Sequence, residues 1–234
     1  MENFTVLNYQ GSKNNLSSFI QKNIEPYIQD GKAILDIFSG SAAVSNMFRD
    51  NYQVYANDAE IYASIIADAI LNQAEINSAT ELISSLDIEY TTAIKKHAKP
   101  IIDFVKKEQL ALDKGNYEQL IALYNLYPTV WNNQYSDITK NELTVDSVKQ
   151  THDFYLFTTY YATNYYGINQ ALDIDCLIKI INLHFPQYRN ALLSCLFYAM
   201  KETVFSKDGH MAQPLSLDKN KARLFIQRKK NVYA

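Results

Sequence analysis

Two cysteines, five prolines, six glycines and one tryptophan are all that the 234 residues contain of those types. Cys176 and Cys195 stand apart, without Cys-x-x-Cys or a Cys/His cluster, so the expectation is buried, reduced thiols in a cytoplasmic protein. The four histidines, His97, His152, His184 and His210, show no ligand spacing, and no metal is expected. No apolar run approaches the length of a membrane span. The start, "MENFTVLNYQGSK", lacks a charged head followed by an apolar segment, so no signal peptide is expected. Positive charge is not in excess: the formal net charge is −3, which excludes a chain coated in cations but leaves room for a local basic groove. There is no internal repeat and no low-complexity tract. No two of Pro26, Pro100, Pro128, Pro186 and Pro214 are adjacent.

What is present suits a packed core: 47% of residues are hydrophobic, and tyrosine is frequent at 18, a residue fit for half-buried cores and binding surfaces. Leu16, Phe19, Ile20 and Ile24 share one face at helical spacing, which predicts a helix from about 16 to 28. "AILDIF" is a short apolar run ended by Ser39-Gly40, which suits a buried parallel strand. "AAVSNMFRD" reads as a helix, "QVYAND" as a second strand, and Glu60 to about Leu86 as helix again. This is the opening of a doubly wound α/β sheet. From about Ile88 the alternation stops, and an insertion or second, largely helical subdomain is expected. The chain divides into 1–87, an α/β part; 88–218, a mainly helical region; and 219–234, a basic C-terminal segment. That last segment, "KNKARLFIQRKKNVYA", carries six cations and no acid.

The first strand, loop and helix have the form of a nucleotide-type site. Ligands of an open parallel sheet sit beyond the carboxyl ends of its strands, where Gly40 allows a sharp turn and close approach. Ser41, Ala42 and Ala43 keep that approach open. Asp58, about twenty residues on, ends the second strand and suits both hydroxyls of a ribose. A dinucleotide asks for G-x-G-x-x-G and a phosphate-facing helix start, whereas this loop has one glycine and an acid, Asp36, in the strand before it. That acid repels phosphate and attracts an amine. S-adenosylmethionine, which has no phosphate and carries an amine and a sulfonium charge, fits better than NAD.

Tyr9-Gln10-Gly11-Ser12-Lys13, an amphipathic helix, "DIFSGS" and "ANDAE", in that order, resemble the Dam-type class of DNA adenine-N6 methyltransferases. "TTYYATNYYGINQALDID" and "GHMAQP" resemble later segments of that class. The resemblance implies a partial Rossmann-like S-adenosylmethionine-dependent sheet with a helical target-recognition insertion. It implies methylation of adenine N6 at a specific site in double-stranded DNA, as in restriction-modification. Carried over by motif, Tyr9, Gly11, Ser12 and Lys13 would flank the cofactor. Asp36, Phe38, Gly40 and Ser41 would form the methionine end of its pocket, and Asp58 would hold the ribose. Ala42 departs from the pattern, which has a second glycine there. If that position needs positive φ, alanine costs on the order of 1 kcal/mol; if it starts the helix, alanine is harmless.

The class acts through Asp/Asn-Pro-Pro-Tyr/Phe, because the adenine amine is a poor nucleophile and must be held by an acceptor, a carbonyl and a stacked ring. Without adjacent prolines, this chain lacks that motif. The expectations are one subunit of a split enzyme whose partner polypeptide brings it, a truncated gene, or a non-catalytic DNA-binding or regulatory relative. No catalytic residue is assigned, and the isolated chain is expected to be inactive. "TNYYG" (163–167) has suitable residue types but no rigid turn. The tyrosine-rich stretch 155–166 reads as an aromatic core face before a base-stacking surface. Gln170 and Asp175 read as braces. His210 and Gln213 are candidates for a base edge, and Lys229 and Lys230 for phosphate contact. Lys95, Lys96, Lys99, Lys106 and Lys107 read as a solvated face.

Overall fold

Three apolar residues followed by an acid are enough to make the first strand. In the computed structural model, which describes residues 6–7, 16–28, 32–72, 78–99, 101–129, 156–209 and 213–233, β1 (Ile34–Asp36) lies parallel to β2 (Val54–Ala56). Ile34 stands opposite Val54, Leu35 opposite Tyr55, and Asp36 opposite Ala56. Helix α1 (Ser17–Ile24) precedes them and tightens into a 3-10 turn over Glu25–Tyr27, where Pro26 has no N–H to give the helix ladder. The short α2 (Ala43–Phe48) joins the strands and touches both of them, α1 and α3 (Ile61–Leu71). Val6, Ala42, Ile66 and Ala67 form a buried cluster that Leu7, Ala56, Tyr62, Ile70 and Phe197 pack against. These elements belong to one compact unit, Met1–Asn77 with Gln187–Tyr198.

The helical pattern read from Glu60 to Leu86 is two helices. α3 stops at Leu71, and α4 (Ala79–His97) begins after Ser78, whose hydroxyl accepts from the Glu81 N–H at 3.2 Å. Ser-x-x-Glu is an N-terminal signature, and the unbroken apolar pattern masked it. Lys95, Lys96, Lys99, Lys106 and Lys107 are all exposed, as a solvated face requires.

The second unit, Ser78–Pro186 with Ala199–Ala234, is helical among its described residues. It holds α4, α5 (Ile102–Asp113), α6 (Tyr117–Leu126), α7 (Leu156–Tyr160), α8 (Ile168–His184), the end of α9 (Arg189–Thr203) and α10 (Lys221–Arg228). α8 packs against α4, α5 and α7, and its residues 170–177 are buried without a break. A helix covered on all sides must satisfy its polar residues internally. Asp175 does so by accepting from the Phe157 and Thr158 N–H groups and the Thr158 hydroxyl, each at 2.9 Å, which caps α7. Gln170 accepts from the Gly167 N–H at 2.9 Å and donates to the carbonyls of Gln227 and Lys230 at 2.7 and 2.8 Å. Both residues brace this unit. The aromatic stretch is core here too: Tyr166 is fully buried, and its ring meets Phe157 edge-on. Of the two thiols, Cys176 is buried within α8, whereas Cys195 is exposed, a departure from the expectation that both are hidden. Cys195 takes the outward side of α9 between buried Ser194 and Leu196.

Asp173 accepts from the Tyr90 hydroxyl at 2.8 Å. Burial, against the pull of that hydrogen bond, pushes its carboxyl up to about 7. Burial does the same to Asp175, also to about 7, despite the donors that favour its charged form. The ordinary value is 3.8. Between the two values the folded chain keeps protons that the unfolded chain has released. Their contribution to stability is complete below the unfolded value and is lost as pH rises through about 7. We predict that the urea midpoint of the second unit falls from about pH 4.5 to about pH 7.5, by at most about 1.4 kcal/mol per pH unit per group. Asp173→Asn should flatten the slope; a midpoint that rises with pH would refute the argument.

Candidate functional site

The ends of β1 and β2 are laced together by their own polar groups. The Asn57 N–H donates to the Asp36 carbonyl at 2.8 Å, the Ser39 N–H to the Asn57 carbonyl at 3.1 Å, and Asn57 Nδ2 to the Ile37 carbonyl at 3.1 Å. Asp58 completes the lacing. Its Oδ2 accepts from the Gly40 N–H at 2.8 Å and its Oδ1 from the Glu60 N–H at 3.0 Å. The carboxylate therefore shapes the loop from Ile37 to Gly40 as well as standing at the end of β2. Gly40 has φ +51°, the left-handed region that glycine enters without strain.

Asp36 has a structural task. Ala42, at the start of α2, has no side chain to cap it, and Asp36 Oδ2 accepts from the Ser45 N–H at 3.2 Å and the Ser45 hydroxyl at 2.8 Å. It is a helix cap delivered from the strand, and a carboxylate near the first turn also suits the helix dipole. An acid in this strand has a use with or without a ligand.

Ala42 itself has φ +57°, so the position does need the left-handed region. Strain of about 1 kcal/mol is opposed by its methyl group, which is fully buried against Ile66 and Ala67. We predict that Ala42→Gly changes stability by less than about 1 kcal/mol in either direction. A urea titration showing a larger change would mean that one of the two effects is misjudged.

Other expected residues fall as follows. Phe38 is 77% exposed, and Ser41 is half-buried. Tyr9, Gly11, Ser12, Lys13 and His210 lie outside the described residues. Gln213 and Lys229 are exposed, and Lys230 donates from Nζ to the Glu202 carbonyl at 2.7 Å. The loop also holds groups the sequence did not single out. Ser39 Oγ is buried and has no hydrogen-bond partner among the described residues. Ile61, in the first turn after Asp58, is highly exposed. A serine between Phe38 and Gly40 gave no signal because nothing in its neighbours distinguishes it from a spacer. Among the described residues, no group of three or more His, Cys, Asp or Glu could hold a metal ion, and no helix is long and apolar enough to cross a membrane.

The donor set suits a hydroxyl-bearing, cationic ligand. It offers two carboxylates at neighbouring strand ends, one glycine, an unmet serine hydroxyl and no repeated glycines to cradle a pyrophosphate.

The sequence profile of the D12 class N6 adenine-specific DNA methyltransferase family matches residues 9–171, most of this chain. Modification methylase LlaI of Lactococcus lactis subsp. lactis is 24% identical over 121 residues, 52% of this chain and 17% of that protein. Type II methyltransferase M.FokI of Planomicrobium okeanokoites is 34% identical over 77 residues, 32% of this chain and 12% of that protein. The chain thus corresponds to under a fifth of the length of either relative. No solved structure matches. A mostly helical chain with a small parallel sheet is compatible with an α/β methyltransferase fold.

Proposed function

Since the chain belongs to the family of D12 class N6 adenine-specific DNA methyltransferases, we propose that it is the cofactor half of an enzyme that methylates adenine N6 at a specific DNA site, as in restriction-modification. The family implies S-adenosylmethionine as methyl donor and DNA as substrate. The observation that carries the reading is the Asp58 carboxylate, tied to Gly40 at 2.8 Å, at the ends of two parallel strands. In this reading β1, α2, β2 and α3 open a Rossmann-like sheet, and the helical unit serves target recognition.

The bound donor supplies an electrophilic methyl group on a sulfonium. Asp58 accepts hydrogen bonds from the ribose hydroxyls, and its negative charge favours the cationic ligand. Asp36 keeps α2 capped and adds negative potential near the amine. Phe38, Gly40 and Ser41 line the methionine end, and Tyr9, Gly11, Ser12 and Lys13 flank it. His210 and Gln213 read a base edge, while Lys229 and Lys230 meet phosphate.

The acceptor half comes from elsewhere. Adenine N6 needs an acidic or amide side chain and a carbonyl fixed by a Pro-Pro turn, and no two prolines of this chain adjoin. A second polypeptide brings that turn. The absence of the turn also favours one alternative, a non-catalytic relative that retains the cofactor fold.

Calorimetry of the chain with S-adenosylmethionine and with NAD, and methylation assays on duplex DNA, test the proposal. Uptake of the first compound alone, with no methylation by the pure chain, is expected. Uptake of NAD, or of neither, would overturn the cofactor reading, and site-specific methylation by the chain alone would overturn the division of labour.

A further inference from the structure

The burial of the sheet alternates. Ile34 and Asp36 of β1, with Val54 and Ala56 of β2, are at least partly covered on the side of α2. Leu35 is 60% exposed, Ile37 52% and Tyr55 56%. Leu35 and Tyr55 are direct cross-strand neighbours, so they form one apolar patch on the opposite face. The Ile34 N–H donates to the Gln53 carbonyl and the Asp36 carbonyl accepts from the Asn57 N–H, so residues 34 and 36 direct their backbone groups toward β2. In a parallel ladder the residue between them points the other way. The Leu35 N–H and carbonyl therefore face the outer edge of β1, which pairs with no strand among the described residues.

Parallel sheets occur with both faces covered, and two strands of three residues are too few to stand alone. An apolar edge without charges invites pairing. Building on the methyl-transfer reading above, we propose that the outer edge of β1 and the Leu35–Tyr55 face receive the second polypeptide, through a strand parallel to β1 and a helix laid over the patch.

The occupant follows from geometry and chemistry. A parallel strand beside β1 ends level with Asp36 and hands its following loop to the side of residues 37–40. That is where an Asp/Asn-Pro-Pro-aromatic turn must stand to present adenine to the cofactor loop. An antiparallel strand would bring its beginning to that place instead. A second copy of this chain cannot supply the turn, because it has no adjacent prolines. The partner is thus an apolar strand ending in that turn, followed by an amphipathic helix.

The test uses the full chain and two tagged probes. One is a Dam-type fragment that begins at its Asp-Pro-Pro-Tyr strand, and the other is the product of the adjacent reading frame. The wild-type chain should retain at least one probe, with slowed hydrogen exchange at the Leu35 amide in the complex. Leu35→Lys with Tyr55→Lys should weaken retention at least about tenfold while leaving circular dichroism and uptake of S-adenosylmethionine unchanged. If neither probe is retained, if the double variant retains it equally, or if sedimentation shows a homodimer that the lysines dissolve, the proposal is overturned. A complex that forms through this face but transfers no methyl group would instead leave the interface standing and sink the functional reading.

Discussion

Arg228→Ala is expected to remove roughly 3–5 kcal/mol from the stability of the helical unit, the usual cost of breaking a buried charged network on one side. Arg228 is only 4% exposed. Its guanidinium donates to the carbonyls of Thr163, Asn164 and Tyr165 at 2.9–3.0 Å, and its Nε donates to the Tyr124 hydroxyl at 3.1 Å. That hydroxyl donates in turn to Glu108 Oε1 at 2.6 Å. Glu108, also buried, accepts from the Ile168 and Asn169 N–H groups at 2.8 and 2.9 Å and so caps α8. One hydroxyl thus links a cation that gathers the carbonyls of a tight turn to an anion that gathers the N–H groups of a helix start. Gly167 lies between them. A Cβ there would stand 2.9 Å from Glu108 Oε1 and 3.1 Å from Arg228 Cδ, which leaves room for glycine alone.

Removing the cation strands three carbonyls and leaves Glu108 without its distant partner. Lysine is no substitute, because its single ammonium cannot reach three carbonyls and a phenol in a plane. Urea unfolding at neutral pH checks this. The exposed neighbour Lys229, changed to Ala, should alter stability by less than about 0.5 kcal/mol. Equal effects of the two substitutions would show that the buried network carries no special weight.

The same pair explains what the sequence could and could not convey. "QRKK" presents Arg228 and Lys229 as equivalent charges, and only burial separates them. Arg228 meets its partners Tyr124 and Tyr165 across 104 and 63 positions of chain, a separation that no local spacing encodes. The strands and their loop were legible because the information there is local. A short apolar run, a glycine at its end and an acid after the next run are visible in any window of thirty residues. Asp36 shows the limit of that method. Its charge suggested attraction for an amine, whereas its side chain is bonded to Ser45, a partner fixed by the turn that Ala42 makes. The break between α3 and α4 was readable at Ser78-Ala79-Thr80-Glu81, but helical periodicity on both sides carried the eye across it. The tyrosines of residues 160–166 were legible as core because that many rings exceed what a surface can leave dry.

Asp58→Ala should weaken binding of S-adenosylmethionine by about a hundredfold or more. Two hydrogen bonds from ribose hydroxyls to a charged acceptor are together worth about 3 kcal/mol or more, and each 1.4 kcal/mol is about tenfold in affinity. A second loss adds to this in the same direction. The Gly40 N–H gives up its acceptor, so the loop between the strands is no longer held in the shape that admits the ligand. Asp58→Asn separates the two effects. Its side-chain oxygen still accepts from Gly40, but the charge is gone and one acceptor has become a donor, so a loss of about tenfold is expected. Calorimetry on the wild type and both variants provides the readout, with urea midpoints to show that each variant is folded. The order wild type, Asn, Ala supports a carboxylate that both shapes the loop and binds the sugar. Wild-type affinity in both variants would mean that Asp58 serves the fold alone, and that the cofactor, if it binds, is held by other residues.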